Sequence, residues 1–249
     1  MKALIITVAG TATRFNRDTT EETLKCLYYH DSFKNCLLYQ ILDKARDIDE
    51  YVIVGGFLFD KLEDFIRTNL SEFKDRIKLI YNPEYSTFGS GYSLLLGLRN
   101  ADPHADEILF VEGDLYFNDR DFEKIKKSEK NVFTVNHNLI TADKAVVVYE
   151  NTGRHLQYIY DTSHSYLNIR EPFLAVYNSG QVWKFIDLPR LTAVVNNLTP
   201  EQTRGTNLEI IQGYFGNLDK SEIEMVVFTE WFNCNTVSDY MTVLSKIKK

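Results

Sequence analysis

The first half of the chain alternates short, mostly apolar runs with amphipathic segments. The runs that are typical of buried strands lie at residues 3–8, 51–54, 77–81 and 107–111. Between them, apolar residues recur at helical spacing, which predicts helices within residues 33–47, 62–70 and 92–98. Strands and helices in alternation indicate a mostly parallel sheet that is covered by helices on both faces.

From residue 132 onward the pattern changes to short strands with fewer helices between them. Strands are predicted at residues 132–135, 144–149, 155–160, 173–177 and 225–228, and helices around residues 181–187, 204–215 and 236–247. There is no repeat, low-complexity stretch or evident linker. We therefore expect one α/β domain over residues 1–249, a three-layer α/β/α sandwich with a mixed sheet and strand-rich insertions in its second half.

The composition is that of an ordinary globular protein. Of its 249 residues, 44% are hydrophobic and 25% are charged, which is enough for a sizeable core. The net charge of -7 argues against a general nucleic-acid surface, because such a surface needs basic residues to displace counterions from phosphates. A small anionic ligand needs only a few local cations and stays compatible with this charge.

The cysteines and the apolar runs indicate the cellular setting. Cys26, Cys36 and Cys234 have no paired spacing, which argues against a zinc site and fits a reducing compartment. No apolar run approaches the ~20 residues of a membrane helix, and the N-terminus has no cleavage-site pattern. We expect a cytoplasmic protein with no membrane partner.

The loop after the first predicted strand contains a glycine and is followed by two cations. Backbone N–H groups in such a loop favour anions, and Gly10 lies where phosphates usually bind in a parallel sheet. Arg14 and Lys25 could bind a triphosphate from two sides, Arg14 through its bidentate guanidinium group and Lys25 as a single point charge. A plain surface loop with two solvated charges is the alternative. A dinucleotide site would need two further glycines.

This segment resembles the signature of the sugar-phosphate and choline-phosphate nucleotidyltransferases, Ala-Ala-Gly-x-Gly-x-Arg followed by Pro-Lys. Ala12 and Leu24 stand where the family has its second glycine and its proline; the matching positions are Ala9, Gly10, Thr13, Arg14 and Lys25. The resemblance implies a Rossmann-like fold of the nucleotide-diphospho-sugar transferase type, with Arg14 and Lys25 as catalytic residues. It also implies that the triphosphate is bound by Ala9, Gly10, Thr11, Ala12 and Thr13.

A second loop, at residues 81–93, is similar to one in the choline-phosphate cytidylyltransferase branch, which has Asn-x-x-Tyr followed by small residues. In the wider family this region holds the nucleotide base, so the resemblance favours CTP as the nucleotide. The implied base-binding residues are Asn82, Gly89, Ser90, Gly91 and Ser93. Buried polar groups of this kind discriminate well between bases. Capping of the following helix by Ser90 is the alternative role for that residue.

Two residues are candidates for holding Mg²⁺. Asp114 ends an apolar strand at Gly113-Asp114, where the ligand crevice of an open α/β sheet lies, although a simple turn would also use this pair. Asn235 stands where the family often has an aspartate before its final helix, and it could instead be the N-cap of that helix. The resemblance covers the first half and, loosely, the last strand and helix.

The acceptor should be recognised by the middle of the chain. We name Lys144, Tyr160, Glu171 and Tyr177 as acceptor-binding residues. Lys144 would steady a phosphate, although an edge-strand lysine is an equal alternative. The aromatic residues, with Asp161 and Glu171, could cage a quaternary ammonium or amine, or could simply be core; they are Tyr158, Tyr160, Tyr166, Tyr177 and Trp183.

The implied reaction is Mg²⁺-dependent nucleotidyl transfer from a nucleoside triphosphate, CTP by preference, to a small phosphorylated or phosphonate acceptor such as phosphocholine. Residues 1–130 would bind the nucleotide, 131–225 the acceptor, and 225–249 would close the domain. The alternatives are a sugar 1-phosphate nucleotidyltransferase, a nucleotide-binding regulatory protein with little turnover, and a glycosyltransferase that uses Asp114. The protein would act as a monomer or a homodimer.

Overall fold

A computed structural model describes residues 1–142, 146–159 and 166–248 of the chain. Its strands fall close to the predicted runs and extend several of them. They are β1 (Lys2–Thr7), β2 (Glu50–Gly55), β3 (Ile77–Tyr81), β4 (Glu107–Glu112), β5 (Leu115–Phe117), β6 (Asn131–Asn136), β7 (Val147–Asn151), β8 (Leu156–Tyr158), β9 (Phe173–Phe185), β10 (Ile223–Phe228) and β11 (Trp231–Asn233).

The α-helices are α1 (Leu37–Lys44), α2 (Phe59–Asn69), α3 (Ser90–Asn100), α4 (Asp119–Lys127), α5 (Leu188–Asn196), α6 (Pro200–Arg204), α7 (Leu208–Phe215) and α8 (Val237–Ile247). Short 3-10 turns lie at Phe15–Asp18, Phe33–Asn35, Lys74–Arg76 and Lys220–Glu222. Among the helices of the described residues, none is long and apolar enough to cross a membrane.

Within the described residues, the main sheet has the strand order β10-β6-β9-β4-β1-β2-β3, and β7 and β8 extend it beside β9. The pairs β1–β2, β2–β3, β1–β4 and β6–β10 are parallel, whereas β9 is antiparallel to both β4 and β6. Strands β5 and β11 pair as a separate antiparallel ribbon. The sheet is therefore mixed and mostly parallel, as predicted.

Side chains of β1 alternate between two hydrophobic cores, one on each face of the sheet. Leu4 and Ile6 belong to the core beneath α1, α2 and α4, whereas Ala3 and Ile5 belong to the core beneath α3, α5 and α7. A strand that is buried on both faces reads as a continuous apolar run, which explains the pattern of the first residues. The predicted three-layer α/β/α sandwich is confirmed.

The helix predicted around residues 181–187 is wrong. Strand β9 continues through Val182, Trp183 and Phe185, and α5 begins only at Leu188, with Asp187 as its N-cap. These side chains suit a strand because β9 lies between β4 and β6 and is covered on both faces. Helix α4 and the three-residue strands β5 and β11 have no counterpart among the predicted elements.

Candidate active site

A cleft of about 310 Å³ lies beyond the carboxyl ends of β1 and β4. Residues from the first loop, the second loop and the turn after β4 line it, which is where an open α/β sheet binds ligands. The lining residues include Ala9, Gly10, Thr11, Lys25, Asn82, Tyr85, Phe88, Gly89, Ser90, Ser93, Glu112 and Asp114. Most of the predicted nucleotide-binding residues therefore share one cavity.

The first loop has the shape that its sequence signature requires. A Cβ atom added to Gly10 would meet no protein atom within 4 Å, so this side of the loop is open to a ligand. Ala12 has a φ of 51°, the left-handed conformation that glycine adopts most easily. Leu24, which precedes Lys25, is buried in the core and anchors the chain next to the lysine.

Four side chains from three separate segments meet beside the cleft. The Lys25 Nζ atom lies 2.6 Å from the Asp114 Oδ2 atom and 3.4 Å from the Asn235 Oδ1 atom. The Arg14 Nη2 atom donates to the same Asn235 Oδ1 atom at 2.9 Å. The Cys234 backbone N–H donates to the Asp114 carbonyl oxygen at 2.8 Å, which joins the two turns. Lys25 thus contacts both predicted metal ligands, and Arg14 contacts Asn235.

The oxygen atoms at this point suit a magnesium ion. The Asp114 Oδ1 atom is buried and has no hydrogen-bond partner, so one carboxylate oxygen is available. The described residues hold no cluster of three or more His, Cys, Asp or Glu side chains that could form a complete metal cage. Mg²⁺ typically takes one or two protein oxygens together with phosphate oxygens and water, so the set of donors fits this ion.

Asn235 is not the N-cap of the closing helix. Thr236 occupies that position, and its side chain forms a capping box with Asp239. The Asn235 side chain is directed into the site instead, where its oxygen accepts from Arg14 and Lys25 and its Nδ2 atom donates to the Asn233 Oδ1 atom at 2.7 Å. Of the two roles considered for Asn235, capping is therefore excluded.

The small residues of the second loop pack against protein. The backbone N–H groups of Gly89 and Gly91 donate to the carbonyl oxygens of Arg204 and Gly205 at 2.8 and 3.2 Å. A Cβ atom on either glycine would collide with the backbone of residues 205–206. The backbone of residues 205–206 packs so closely on this loop that glycine is needed at both positions. The N–H groups of the two glycines are bonded to protein.

Polar side chains around the second loop are also paired. The Asn82 Nδ2 atom donates to the Ser93 Oγ atom at 2.9 Å, and both residues are buried. Ser90 does not cap its helix, because its Oγ atom accepts from the Asn207 backbone N–H at 3.1 Å. Asn82, Ser90 and Ser93 all line the cleft, and the Asn82 Oδ1 atom accepts from the Glu84 N–H at 2.8 Å.

Glu112 is a functional candidate that was not identified from the sequence. Its carboxylate lines the cleft, accepts from the Asn207 Nδ2 atom at 2.6 Å, and lies 3.5 Å from the Gln181 Nε2 atom. Burial, reinforced by the negative charge of Asp114, raises the pKa of Glu112 from 4.5 to about 7. Its place at a strand end, two residues before Asp114, was the available signal.

Of the predicted acceptor-binding residues, the two that the structure describes, Glu171 and Tyr177, contact successive residues of β7. Lys144 and Tyr160, like Asp161, lie outside the described residues. The Tyr149 hydroxyl donates to the Glu171 Oε1 atom at 2.7 Å, and the Tyr177 hydroxyl lies 3.4 Å from the Glu150 Oε2 atom. Because Tyr149 and Glu150 are successive strand residues, they project to opposite faces, and Glu171 and Tyr177 do so with them.

Two of the aromatic residues considered for a cage belong to the core. Trp183 is fully buried, stacks on Phe110 with the ring centroids 5.1 Å apart, and donates from Nε1 to the Tyr158 hydroxyl at 2.8 Å. Tyr158 is buried as well, so neither side chain can face a ligand. Tyr166, by contrast, is 61% exposed.

Several solved structures share this fold across the whole chain. An inositol-1-phosphate CTP transferase from T. maritima has a TM-score of 0.70 at 15% identity, with 100% of this chain and 97% of that chain covered. A putative glucose-1-phosphate thymidylyltransferase from Bacillus anthracis has a TM-score of 0.72 at 13% identity, with 100% and 96% covered. At such identities the likeness shows the fold.

A third solved structure is the CTP:phosphocholine cytidylyltransferase (LicC) of Streptococcus pneumoniae, with a TM-score of 0.64 at 16% identity and coverage of 100% of this chain and 99% of that chain. A search of curated protein sequences gave no match. The sequence model of one protein family, described as "Domain of unknown function (DUF6564)", matches residues 21–247. The chain therefore belongs to the DUF6564 family.

Proposed function

We propose that this protein is a nucleotidyltransferase that transfers a cytidylyl group from CTP to a small phosphorylated or phosphonate acceptor and releases pyrophosphate. The observation that carries this proposal is the contact of Lys25 and Asp114, which line the cleft, with Asn235, which also accepts from Arg14. Two cations and one carboxylate at this point suit a triphosphate that is bound with a divalent metal.

The chemistry needs no nucleophile from the protein. An oxygen of the acceptor phosphate attacks the α-phosphorus, a new P–O bond forms, and the bond to the β-phosphate breaks with its electron pair leaving on pyrophosphate. Catalysis of such a step depends on positioning and on charge stabilisation. Lys25 and Arg14 would neutralise the charge that develops on the α-phosphate and on the leaving pyrophosphate.

The Asp114 Oδ1 atom would hold a Mg²⁺ ion, and the Asn235 amide oxygen, which accepts from Arg14 and Lys25, would have to release one of these donors to become a second ligand. When bound, the ion neutralises phosphate charge and orients the phosphate oxygens. Asp114 contributes the charged ligand, since the Asn235 side chain is neutral. The salt bridge between Lys25 and Asp114 keeps the lysine beside this ligand, with the two side chains 24% and 14% exposed.

The preference for CTP follows from the sequence of the second loop, and two of the solved structures with this fold are named as CTP-dependent enzymes. Asn82, Ser90 and Ser93 are the polar side chains that line the cleft beside Tyr85 and Phe88, and they would contact the base. For the acceptor we favour phosphocholine or a related amine-bearing phosphate, with Lys144, Tyr160, Glu171 and Tyr177 kept as candidate contacts.

A sugar 1-phosphate nucleotidyltransferase is the second candidate. It is favoured by the two solved structures whose names specify inositol-1-phosphate and glucose-1-phosphate chemistry. A nucleotide-binding regulatory protein is a third candidate, because Asn235 supplies no charge to a metal.

The three functions are separated by one panel of assays. The protein is incubated with each nucleoside triphosphate, Mg²⁺ and one acceptor: phosphocholine, phosphoethanolamine, aminoethylphosphonate or a sugar 1-phosphate. Pyrophosphate release with CTP and an amine-bearing acceptor is the expected result. Release with sugar 1-phosphates alone would support the second candidate. Thermal stabilisation by a nucleotide without any release would support the regulatory protein.

A further inference from the structure

We infer that Gln181 and Asn233 are positioning residues, and that with Glu112 they form a directed hydrogen-bond relay that turns the Asn235 amide oxygen toward Arg14 and Lys25. This inference rests on the proposed function, because it assigns the relay the task of holding the two cations for a nucleoside triphosphate. The relay has four members from four segments: the end of β4, the middle of β9, the end of β11 and the turn before α8.

Three hydrogen bonds connect the relay. The Asn235 Nδ2 atom donates to Asn233 Oδ1 at 2.7 Å, and the Asn233 Nδ2 atom donates to Gln181 Oε1 at 3.2 Å. The Gln181 Nε2 atom then donates to Glu112 Oε2 at 3.5 Å. The Glu112 carboxylate is fixed from its other side, where Asn207 donates to Oε1 at 2.6 Å.

The chemistry of the two ends sets the direction of all three amides. Lys25 and Arg14 can only donate hydrogen bonds, and an ionised carboxylate can only accept them. Each amide between the two ends has one donating side and one accepting side. Only one set of orientations therefore satisfies every contact, and in that set the Asn235 oxygen faces the cations. Rotating any one amide would place two oxygens or two NH₂ groups together.

The backbone at the centre of the relay is strained. Gln181 is buried, and its φ of 54° lies in the left-handed region, which is strained for a residue other than glycine. Gly180 precedes it and could adopt the left-handed conformation without strain, yet Gln181 is the residue that adopts it. Both ends of its amide are bonded within the relay, so hydrogen bonding offsets this strain.

The relay explains why an asparagine is compatible with residue 235 and an aspartate is not. A carboxylate there would have no hydrogen to donate, so Asn233 would have to present its NH₂ group to it. Gln181 would then rotate in turn, and its oxygen would face the Glu112 carboxylate. A neutral Asn235 also leaves the charges of Arg14 and Lys25 available to an anionic ligand.

Asn233→Asp tests the relay without changing any side chain that contacts the cations. The carboxylate at position 233 has no hydrogen to donate to Gln181, so Gln181 must turn its NH₂ group toward it and its oxygen toward Glu112. Two oxygens then face each other, and the variant should unfold at a lower urea concentration. CTP binding with Mg²⁺ should weaken about tenfold, a typical coupling between neighbouring groups.

Glu112→Gln provides the rescue. A glutamine retains an oxygen for Asn207 and gains an NH₂ group for Gln181, so in the double variant Gln181 can turn its own NH₂ group to the carboxylate at position 233, which still accepts from Asn235. The double variant Glu112→Gln/Asn233→Asp should therefore recover the urea midpoint and the CTP affinity that Asn233→Asp alone loses. Asn136→Asp is the matched control, because Asn136 bonds the Ser179 carbonyl at 2.8 Å outside the relay.

Failure of Glu112→Gln to recover the urea midpoint of Asn233→Asp would overturn the relay. Equal recovery of Asn136→Asp would overturn it as well, because the effect would then be nonspecific. The urea measurement needs no nucleotide and judges the relay even if the wild-type protein binds no CTP. A wild-type protein that binds CTP but lacks this coupling would reject the relay and leave the proposed function standing.

Discussion

At the residue scale, Lys25 is the side chain on which the proposed chemistry depends most. Replacing it by alanine should lower turnover by at least about a hundredfold, since it removes the charge nearest Asp114 and the reacting phosphates. The urea midpoint should fall only modestly, because the Lys25 side chain is 24% exposed and its salt bridge with Asp114 is partly solvated. The measurement is pyrophosphate release with the acceptor that is active in the wild type.

Lys127→Ala is a suitable control for this loss. Its side chain is 79% exposed and pairs with Glu123 on the surface of α4. Near-normal turnover of the Lys25→Ala variant, or an equal loss in the Lys127→Ala variant, would contradict the role of Lys25.

Glu112 makes a second prediction at this scale, on the pH dependence of stability. Its pKa is about 7 in the folded chain and about 4.5 when unfolded, so the folded state holds the proton more tightly. The free energy of unfolding should therefore fall as the pH rises from about 4.5 to about 7, and then level off. Glu112→Gln cannot ionise and should lack this fall.

Urea unfolding of the wild type and of Glu112→Gln, followed across this pH range, measures the difference. Above about pH 7, the free energy of unfolding should change with pH at the same rate in the two proteins. Parallel pH profiles throughout the range would show that Glu112 does not carry the effect.

The site residues that sequence could predict are those whose partners are close in the chain or stand at strand ends. Gly10, Arg14 and Lys25 share one loop, and Asp114 follows an apolar strand. The role of Gln181 could not be predicted from the sequence, because its partners come from β4 and β11, which lie far from it along the chain. Only the folded sheet brings those amides together, so no local pattern could predict the relay.

At the element scale, Asp121 fastens helix α4 to the turn between β10 and β11. Its buried carboxylate accepts from the Thr229 N–H and hydroxyl groups, each at 2.7 Å, and from Lys124 at 2.7 Å. Burial alone would raise the pKa of Asp121, but these hydrogen bonds lower it overall. Asp121→Asn should cost about 1–3 kcal/mol of stability at neutral pH.

The sign of the pH effect follows from that lowered pKa. Stability contributed by Asp121 is present above its ordinary pKa of 3.8 and is lost as the pH falls through the lower folded value. Thermal unfolding of Asp121→Asn at neutral pH, beside the control Asp119→Asn, measures the cost. Asp119 is 78% exposed on the same helix, so equal losses in both variants would contradict this account.

Elements were predicted well where a run was long and poorly where tertiary position decided the outcome. Residues 77–81 form β3 as expected. Val182, Trp183 and Phe185 fit a short helix or a strand equally, and the position of β9 between β4 and β6 makes them a strand. Strands β5 and β11 have three residues each, too few for a periodic pattern.

At the scale of the whole molecule, Trp183 tests whether the chain is one cooperative unit. It lies on β9, which joins the strands of the first half to β6 and β10, and it packs on Phe110 of β4. Trp183→Ala should cost about 3–5 kcal/mol and lower the unfolding midpoint of the entire chain in one transition. A calorimetric scan with a single peak is the expected result.

Leu139→Ala serves as the control, since Leu139 is 86% exposed and its loss should change the midpoint little. Two separate transitions, with only the later one moved by Trp183→Ala, would show that the halves unfold independently. The prediction of one domain over residues 1–249 would then be wrong.

The place of β9 between β4 and β6 also governs the order in which the protein can fold as it is synthesised. When residue 112 has left the ribosome, β1 to β4 can pair, but the outer edge of β4 has no neighbour. Its open backbone groups and its apolar residues, such as Phe110, then form an edge that another chain can join. That edge is covered only after Phe173–Phe185 has emerged. The rate of translation between these points therefore sets how long the nascent chain is exposed to aggregation.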